Sequence, residues 1–197
     1  MRLKPIRVTP PGVDLIEVTD ARRQCNVDDT DSDVFLEMVV GSVTDYLESP
    51  AGILRVCLLK QTWQETLSEF PCGAIELPVE PLIGVTKIEY IAEGATTWSE
   101  ISNDQYEAFS TPGAAYVRML DGLSWPSTAT RAAAVRVTYD AGFGVKVSDV
   151  PRGITHAAKL LVAHLFENRE ATLVGVVAQE LPLGVQNLLR PWFRIPV

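Results

Sequence analysis

The chain contains 197 residues, 47% of them apolar, and its 17 basic and 25 acidic side chains give a formal net charge of −8. This composition favours one globular domain with a buried core, and no stretch approaches the roughly 18 apolar residues that a membrane-spanning helix needs. The acidic balance argues against a protein that grips nucleic acid by neutralising phosphates, although an acidic wall would let DNA slide past it.

The N-terminal part is predicted to form an arm and two helices. Residues 1–18 should be extended, because prolines at positions 5, 10 and 11 and a glycine at 12 interrupt a regular helix. A short helix over 20–25 follows, with Thr19 as its N-cap. After an acidic run over 28–33, apolar residues at three- and four-residue spacing predict an amphipathic helix of about 17 residues, which Asp31 or Ser32 caps and which ends near Pro50. Its predicted apolar stripe consists of Val34, Phe35, Met38, Val39, Val43, Tyr46 and Leu47.

The middle of the chain is typical of β-structure. Alternating apolar and β-branched residues predict strands over 56–67, 75–77, 85–91, 96–101, 106–109, 115–119 and 133–139. The prolines of this region fall between these runs, as expected for residues that cannot donate a sheet hydrogen bond.

The C-terminal part returns to helical spacing. Val150-Pro151 is predicted to open a long helix that extends to about residue 172, since proline is well tolerated in a first turn. Its apolar stripe consists of Ile154, Ala157, Ala158, Leu161, Val162, Leu165 and Phe166. A loop over 172–179, a short helix over 185–189 and a proline-flanked tail complete the chain.

The predicted fold class is therefore α+β: a small helical bundle with a β-rich insertion of several antiparallel strands, in a single domain. Its parts are the extended arm (1–18), the N-terminal helices (19–50), the β-rich block (54–144), the long helix (150–172), and the short helix with its tail (180–197).

Candidate metal and nucleotide motifs are incomplete. Asp29-x-Asp31-x-Asp33 imitates the start of an EF-hand loop, but Val34 and Val40 replace the required glycine and bidentate glutamate. The run is better explained as an acidic start of a helix, which the helix dipole favours. Gly142-Phe-Gly144 lacks the third glycine of a dinucleotide fingerprint and is read as a turn that ends a strand.

No arrangement in the sequence indicates catalysis. The two histidines, His156 and His164, lack the spacing of a helical zinc site. Three cysteines without paired spacing are read as free thiols in a reducing cytoplasm. We expect no enzyme activity, cofactor or metal, while a cysteine site or a carboxylate pair assembled only in three dimensions stays open.

The C-terminal tail contains the sharpest candidate contact. Trp192 and Phe193 lie between prolines, where aromatic side chains do not easily fold back. Docking on a neighbouring subunit and packing on the chain itself both remain open.

The order of several short motifs resembles one protein family. The motifs are Pro10-Pro11, the acidic helix start at 28–33, Gln61-Thr-Trp63, Phe70-Pro71, Pro81-Leu82 with Val85 and Tyr90, Ala141-Gly-Phe-Gly144, Val150-Pro151, Phe166-Glu-Asn-Arg-Glu170, and Leu181-Pro182 with Val185, Leu188 and Leu189. In this order, over almost the whole chain, the sequence resembles the head–tail connector (adaptor) proteins of long-tailed phages and gene transfer agents.

The resemblance implies a virion structural protein of the neck, assembled in the host cytoplasm. Such proteins typically form a twelve-fold ring under the portal protein, joining the capsid to the tail around a channel through which genome DNA passes. The implied partners are the portal, further copies of the chain, and the next neck or tail component, such as a head completion protein, with no membrane partner. The candidate interface residues are Phe166, Arg169, Arg190, Trp192, Phe193 and Arg194. Alternatives are another neck or tail assembly protein, such as a head completion or tail terminator protein, and a ligand-binding α+β domain.

Overall fold

The computed structural model describes residues 1–48, 52–111, 113–168 and 182–193. The chain divides into two compact units. The β unit combines Met1–Gly12 with Lys60–Phe143, and the helical unit combines Val13–Leu59 with Gly144–Val197. The α+β class with antiparallel sheets is confirmed, while the single-domain organisation stays a prediction.

The described residues of the β unit contain eight strands in two antiparallel sheets. In chain order the strands are β1 (Ile6–Thr9), β2 (Gln61–Leu67), β3 (Ile75–Leu77), β4 (Leu82–Tyr90), β5 (Ser99–Ile101), β6 (Tyr106–Thr111), β7 (Ala114–Met119) and β8 (Val135–Ala141). The larger sheet has the order β1-β2-β8-β4-β5, and the smaller has the order β3-β7-β6.

Strand β8 is the centre of the larger sheet and explains its stability. It pairs with β2 on one side, where Trp63 faces Tyr139, and with β4 on the other, where Ile88 faces Val137. Its side chains are mostly buried, as expected for a central strand that packs on both faces. Strand β2 alternates buried and half-buried residues, which is the period of a strand with one face in the core.

The helical unit contains four α-helices in the described residues: α1 (Val18–Cys25), α2 (Asp33–Leu47), α3 (Arg152–Glu167) and α4 (Leu183–Leu189). Two short 3-10 turns, Val147–Asp149 and Arg190–Trp192, precede α3 and follow α4. Helix α3 packs against each of the other three helices. The buried side chains of α3 are Ile154, Ala157, Ala158, Leu161 and Val162, which confirms that part of the predicted stripe.

The first eighteen residues were predicted as an arm, and part of this arm is a strand. Arg7 of β1 pairs with Trp63 of β2, with a register irregularity before Thr9. Leu15 and Ile16 are buried, so the last part of the predicted arm contributes to the core of the helical unit. The chain thus enters the larger sheet before it forms its first helix.

The strand predicted over 56–67 is too long, because β2 begins only at Gln61. Leu54, Val56, Cys57, Leu58 and Leu59 are buried without forming a strand. The Glu48 carboxylate accepts the backbone N–H of Leu58 at 2.9 Å, in the role that a neighbouring strand would otherwise fill. The apolar run therefore packs as core rather than as sheet.

The predicted stripe of α2 is partly wrong. Val34, Met38 and Tyr46 are exposed, and the buried face consists of Leu36, Val39, Val40, Val43 and Leu47. These five residues recur every three or four positions and therefore lie on one face of the helix. Of the additional residues of the predicted stripe, Val34 and Met38 lie on the opposite side of the helix, whereas Phe35 lies beside Phe166 of α3.

The predicted caps and helix ends also need correction. Glu17 rather than Thr19 is the N-cap of α1, whereas Ser32 is the N-cap of α2, as one of the two predicted candidates; neither side chain forms a cap hydrogen bond to the backbone. The described part of the long helix runs from Arg152 to Glu167, whereas the prediction extended it over 150–172; residues 169–172 lie outside the described residues. The other predicted strand and helix bounds differ from the observed ones by a few residues, as expected for frayed ends.

Candidate functional site

The C-terminal candidates gather at the beginning of α3. Trp192 is half-buried, and its Nε1 lies 3.7 Å from the position that a Cβ on Gly153 would take. The Leu188 carbonyl oxygen lies 3.3 Å from the same position, so α4 and the following turn pass close to the first turn of α3. Glycine leaves room for this approach. Trp192 therefore packs on its own chain.

The neighbouring side chains of this turn face outward. Arg190 is exposed, and Phe193 is 39% exposed. Arg194 lies outside the described residues. The tail thus combines a tryptophan that anchors it to α3 with an arginine and a phenylalanine on the surface. Of the two possibilities left open by the sequence, packing on the chain itself applies to Trp192, and docking on a neighbouring subunit stays open for the exposed Phe193.

Phe166 belongs to a different place. Its ring lies 5.8 Å from that of Phe35 on α2, at the last turn of α3. At about 1.5 Å per residue, Phe166 is roughly 20 Å along α3 from Gly153. Arg169 lies outside the described residues. The structure therefore brings Arg190, Trp192 and Phe193 together and leaves Phe166 at the other end of the helix.

Charged side chains connect the helices of this unit. Lys159 on α3 donates to the Asp20 carboxylate on α1 at 2.8 Å, and this hydrogen bond lowers the pKa of Asp20. Arg22 pairs with Asp33 at the start of α2 at 3.1 Å. Both pairs are partly solvated, so each stabilises the unit by at most about 1 kcal/mol. Their main effect is to fix how α1 sits on α2 and α3.

The acidic run before α2 has the hydrogen bonds of a helix start. The backbone N–H of Asp31 donates to the Asp29 carboxylate at 3.0 Å, and Asp33 is held by Arg22. Within the described ranges, no three His, Cys, Asp or Glu side chains converge in a way that would hold a metal ion. The position expected to supply a bidentate ligand, Val40, is buried.

An exposed basic surface at the beginning of α3 was not found from the sequence. Lys146 and Val145 are exposed just before the 3-10 turn, and Arg152 is exposed on the first turn of α3. The Asp149 carboxylate accepts the backbone N–H of Lys146 at 2.9 Å and holds this segment in place. Arg190 lies close by, because it falls between Leu188 and Trp192, which both approach Gly153. No local sequence pattern could reveal this surface, since its two segments are about 40 residues apart.

The β unit contains an open cleft of about 750 Å³. The rings of Phe70 and Trp125 stack in its wall at 4.6 Å, and the Trp125 Nε1 donates to the Gly73 carbonyl oxygen at 2.9 Å. The exposed thiol of Cys72 also lines the cleft. Glu107 raises the pKa of Arg118, another lining residue, through a hydrogen bond on the surface. The cleft therefore combines a stacked aromatic pair with a mostly polar lining.

The other groups with shifted pKa values lie apart from one another. Burial raises the pKa of Glu65, and the ion pair with Arg2 lowers it in part. Burial also raises the pKa of Tyr106 and of the Cys25 thiol. Neither Glu65 nor Tyr106 lines the cleft. The shifted groups Glu65 and Tyr106 therefore lie outside the cleft, whereas a catalytic site would bring such groups together in one pocket.

The remaining candidates from the sequence are the two histidines, the glycine turn after β8 and the cysteines. His156 is exposed on α3, and the side-chain amide of Asn168 donates to the backbone oxygen of His164 at 2.8 Å. Gly142 has a φ of 134° at the end of β8, and its N–H donates to the Pro81 carbonyl oxygen at 2.8 Å. All three cysteines are free thiols. In the part of the chain that the structure describes, no helix is both long and apolar enough to cross a bilayer.

Comparisons with known proteins show where this fold occurs. Neither a protein-family profile nor a curated protein matches the sequence. Among solved structures, the chain is similar to one in the neck of an empty gene transfer agent particle computed with C6 symmetry, with a TM-score of 0.80 and 19% identity over 99% of this chain and 97% of the other. It is similar over the same shares to a chain in the virion of a native gene transfer agent particle (TM-score 0.72, 16% identity) and to one in the neck of a native particle computed with C12 symmetry (TM-score 0.71, 19% identity). At these identities the likeness establishes a shared fold.

Proposed function

We propose that this protein is a structural component of the neck of a gene transfer agent or tailed-phage particle. The observation that carries the proposal is the shared fold with a neck chain, with a TM-score of 0.80 over 99% of this chain and 97% of the other. Coverage this complete leaves little of the chain for an additional domain with an unrelated role. The family resemblance of the sequence motifs supports the same role independently.

Within the neck, the chain acts as the head–tail connector and forms a ring. Two of the structural neighbours belong to necks computed with C6 and C12 symmetry, which supports a cyclic arrangement. We propose twelve copies under the portal protein, with the next neck component, such as a head completion protein, on the other side. The protein assembles in the host cytoplasm and then resides in the virion.

The surface chemistry fits a passive channel component. With a net charge of −8, the chain lacks the cationic excess that would retain DNA, so genome DNA passes through the ring without sequence-specific binding. The role requires no enzyme activity, cofactor or metal. The exposed Arg190 and Phe193, with Arg194, Arg169 and Phe166, are the proposed contacts to neighbouring subunits or to the portal, and Trp192 fixes the tail that presents them.

The deciding experiment is native mass spectrometry of the purified protein, alone and mixed with the portal protein of the same genome. We expect a portal-bound complex that contains twelve copies of the chain, or another multiple of six. A stable monomer that ignores the portal would overturn the proposal and shift attention to the cleft of the β unit. A gel-shift assay with duplex DNA at moderate salt should show no complex, and micromolar binding there would contradict the passive channel.

A further inference from the structure

The outward side of α2 has an apolar surface that the described part of the chain leaves uncovered. Val34 is 79% exposed, Met38 is 58% exposed and Tyr46 is 44% exposed. Gly41 lies between them on the helix, and a Cβ added there would meet nothing within 4 Å. Glycine in the middle of a helix destabilises it by roughly 0.5–1 kcal/mol relative to alanine, so the monomer gains nothing from this residue. A small residue on an exposed apolar helix face is suited to the close approach of another molecule.

This surface is also acidic. Helix α2 has no lysine or arginine in its fifteen residues. Glu37 and Asp45 are exposed on it, and neither forms an ion pair with any described residue. We call Val34, Glu37, Met38, Gly41 and Asp45 the α2 outer face. Its partner should combine apolar side chains with positive charge.

The same unit has a surface with that chemistry. Val145 is 64% exposed beside the exposed Lys146, and Arg152, Arg190 and Phe193 lie near the first turn of α3. We call these five residues the basic end. Asp149 is the acidic side chain of this segment, and its carboxylate accepts the backbone N–H of Lys146. The first turn of α3 adds the positive end of the helix dipole.

The two surfaces lie at separate places in the helical unit. Val34 adjoins Phe35, whose ring is 5.8 Å from Phe166 at the last turn of α3. Arg152 of the basic end adjoins Gly153 in sequence, and Gly153 lies roughly 20 Å away along the same helix. The α2 outer face also points away from the buried face of α2. Two complementary surfaces at different places on one chain are the requirement for head-to-tail assembly, because each copy then offers one to each neighbour.

We propose that the α2 outer face of one copy packs against the basic end of the next copy, so that the ring closes through the helical unit. The occupant of the α2 outer face is thus a second copy of this chain. This interface presupposes the ring of the proposed function and names the residues that close it.

Charge reversal tests the interface. Glu37→Lys and Arg152→Glu each place like charges opposite each other and should raise the concentration needed for half-assembly about tenfold or more. Leu123→Asp and Arg131→Glu are the controls, since both positions are exposed in the β unit. A further variant, Met38→Asp, should also block assembly. Leu123→Asp is its matched control, and Arg131→Glu is the matched control for Arg152→Glu. Unchanged circular dichroism and melting temperature would show that every variant is folded.

Mixing the two charge variants identifies the occupant. At a concentration at which the wild type just assembles, Glu37→Lys alone and Arg152→Glu alone should not form rings, whereas an equimolar mixture should, because alternating copies restore opposite charges at every contact. Native mass spectrometry, with portal protein added where the wild type requires it, would count both copies in one ring. A mixture that stays unassembled while the wild type forms rings would overturn this interface.

The remaining outcomes separate this interface from the proposed function. If the wild type and all α2 variants assemble equally well, the ring exists and closes elsewhere, so the interface is wrong while the connector role stands. If the variants still form rings but lose portal binding, the α2 outer face binds the portal instead, and the interface is again wrong. A wild type that forms no ring even with the portal would overturn both.

Discussion

Glu48 is expected to hold the irregular buried segment after α2 in place, and its removal should destabilise the fold. Glu48 is only 5% exposed, and its carboxylate accepts the Leu58 N–H at 2.9 Å. The neighbouring Ile53 N–H donates to the Tyr46 carbonyl oxygen at 2.8 Å, so backbone bonds and one side chain together order this stretch. Among the described residues, Leu58 itself belongs to no strand.

The magnitude follows from leaving a buried donor without its acceptor. In Glu48→Ala the Leu58 N–H loses a charged acceptor, which costs about 1–3 kcal/mol in the free energy of unfolding. For a chain of this length each kcal/mol lowers the melting temperature by roughly 2–4 °C, so we expect a fall of roughly 2–12 °C. Glu48→Gln keeps an acceptor oxygen and should be less destabilising.

Guanidinium unfolding followed by circular dichroism would measure the loss, and hydrogen exchange would locate it. The Leu58 amide should exchange about tenfold faster or more in Glu48→Ala, since 1.4 kcal/mol corresponds to a factor of ten. Glu37→Ala is the matched control, because Glu37 is exposed on the same helix. Equal stability of Glu48→Ala and the wild type, with unchanged protection of Leu58, would refute the reasoning.

Three further predictions concern other parts of the chain. Burial raises the pKa of Glu65 above its ordinary value of 4.5, so the contribution of Glu65 to stability is present below that pH and is lost as the pH rises through the folded-state pKa. Glu65→Gln should remove this loss in thermal unfolding curves recorded at a series of pH values. Parallel pH profiles of the variant and the wild type would contradict the prediction. Gly144→Ala should destabilise by about 1–3 kcal/mol, because the new Cβ would lie 2.3 Å from the Asp149 Oδ2, whereas Gly73→Ala meets open space and should be nearly neutral in chemical denaturation. Added calcium should leave the melting temperature unchanged, because Asp33 is already in an ion pair, and a clear upward shift would revive a calcium site.

Local patterns predicted most of the elements, and long-range contacts account for most of the errors. The bounds of β3 were predicted correctly because short turns isolate its three residues. The pairing of β2 with β8 joins residues 68 to 80 positions apart, and no local pattern could specify it. The prediction of a strand before Gln61 failed for a different reason: the segment is buried, and the Leu58 N–H is bonded by the carboxylate of Glu48, which lies directly after α2.

The candidate site was predicted only where its residues adjoin in sequence. Arg190, Trp192 and Phe193 share one turn, so their grouping follows from the chain itself. That Trp192 packs beside Gly153 depends on how α4 meets α3, which sequence spacing does not reveal. The exposed side of α2 was missed because Val34 and Met38 are apolar, and an apolar residue at helical spacing is more often in the core.

Both units form ion pairs and also leave charges exposed. In the β unit, Arg2 pairs with Glu65, Lys60 with Asp140, Lys87 with Glu89, and Arg118 with Glu107. In the helical unit two ion pairs join α1 to α2 and α3 and a third lies within α1, while Glu37 and Arg152 form none with the described residues.

Exposed ion pairs add little to the stability of a monomer, because water and salt screen them. The same charges gain strength between two copies, where a contact excludes water and repeats at every position of a ring. Pairing the acidic α2 outer face with the basic end also suppresses wrong contacts, because two copies of the same surface would repel each other. In the proposed ring, the exposed Glu37 and Arg152 would therefore contribute more to the order of the copies than to the stability of one chain.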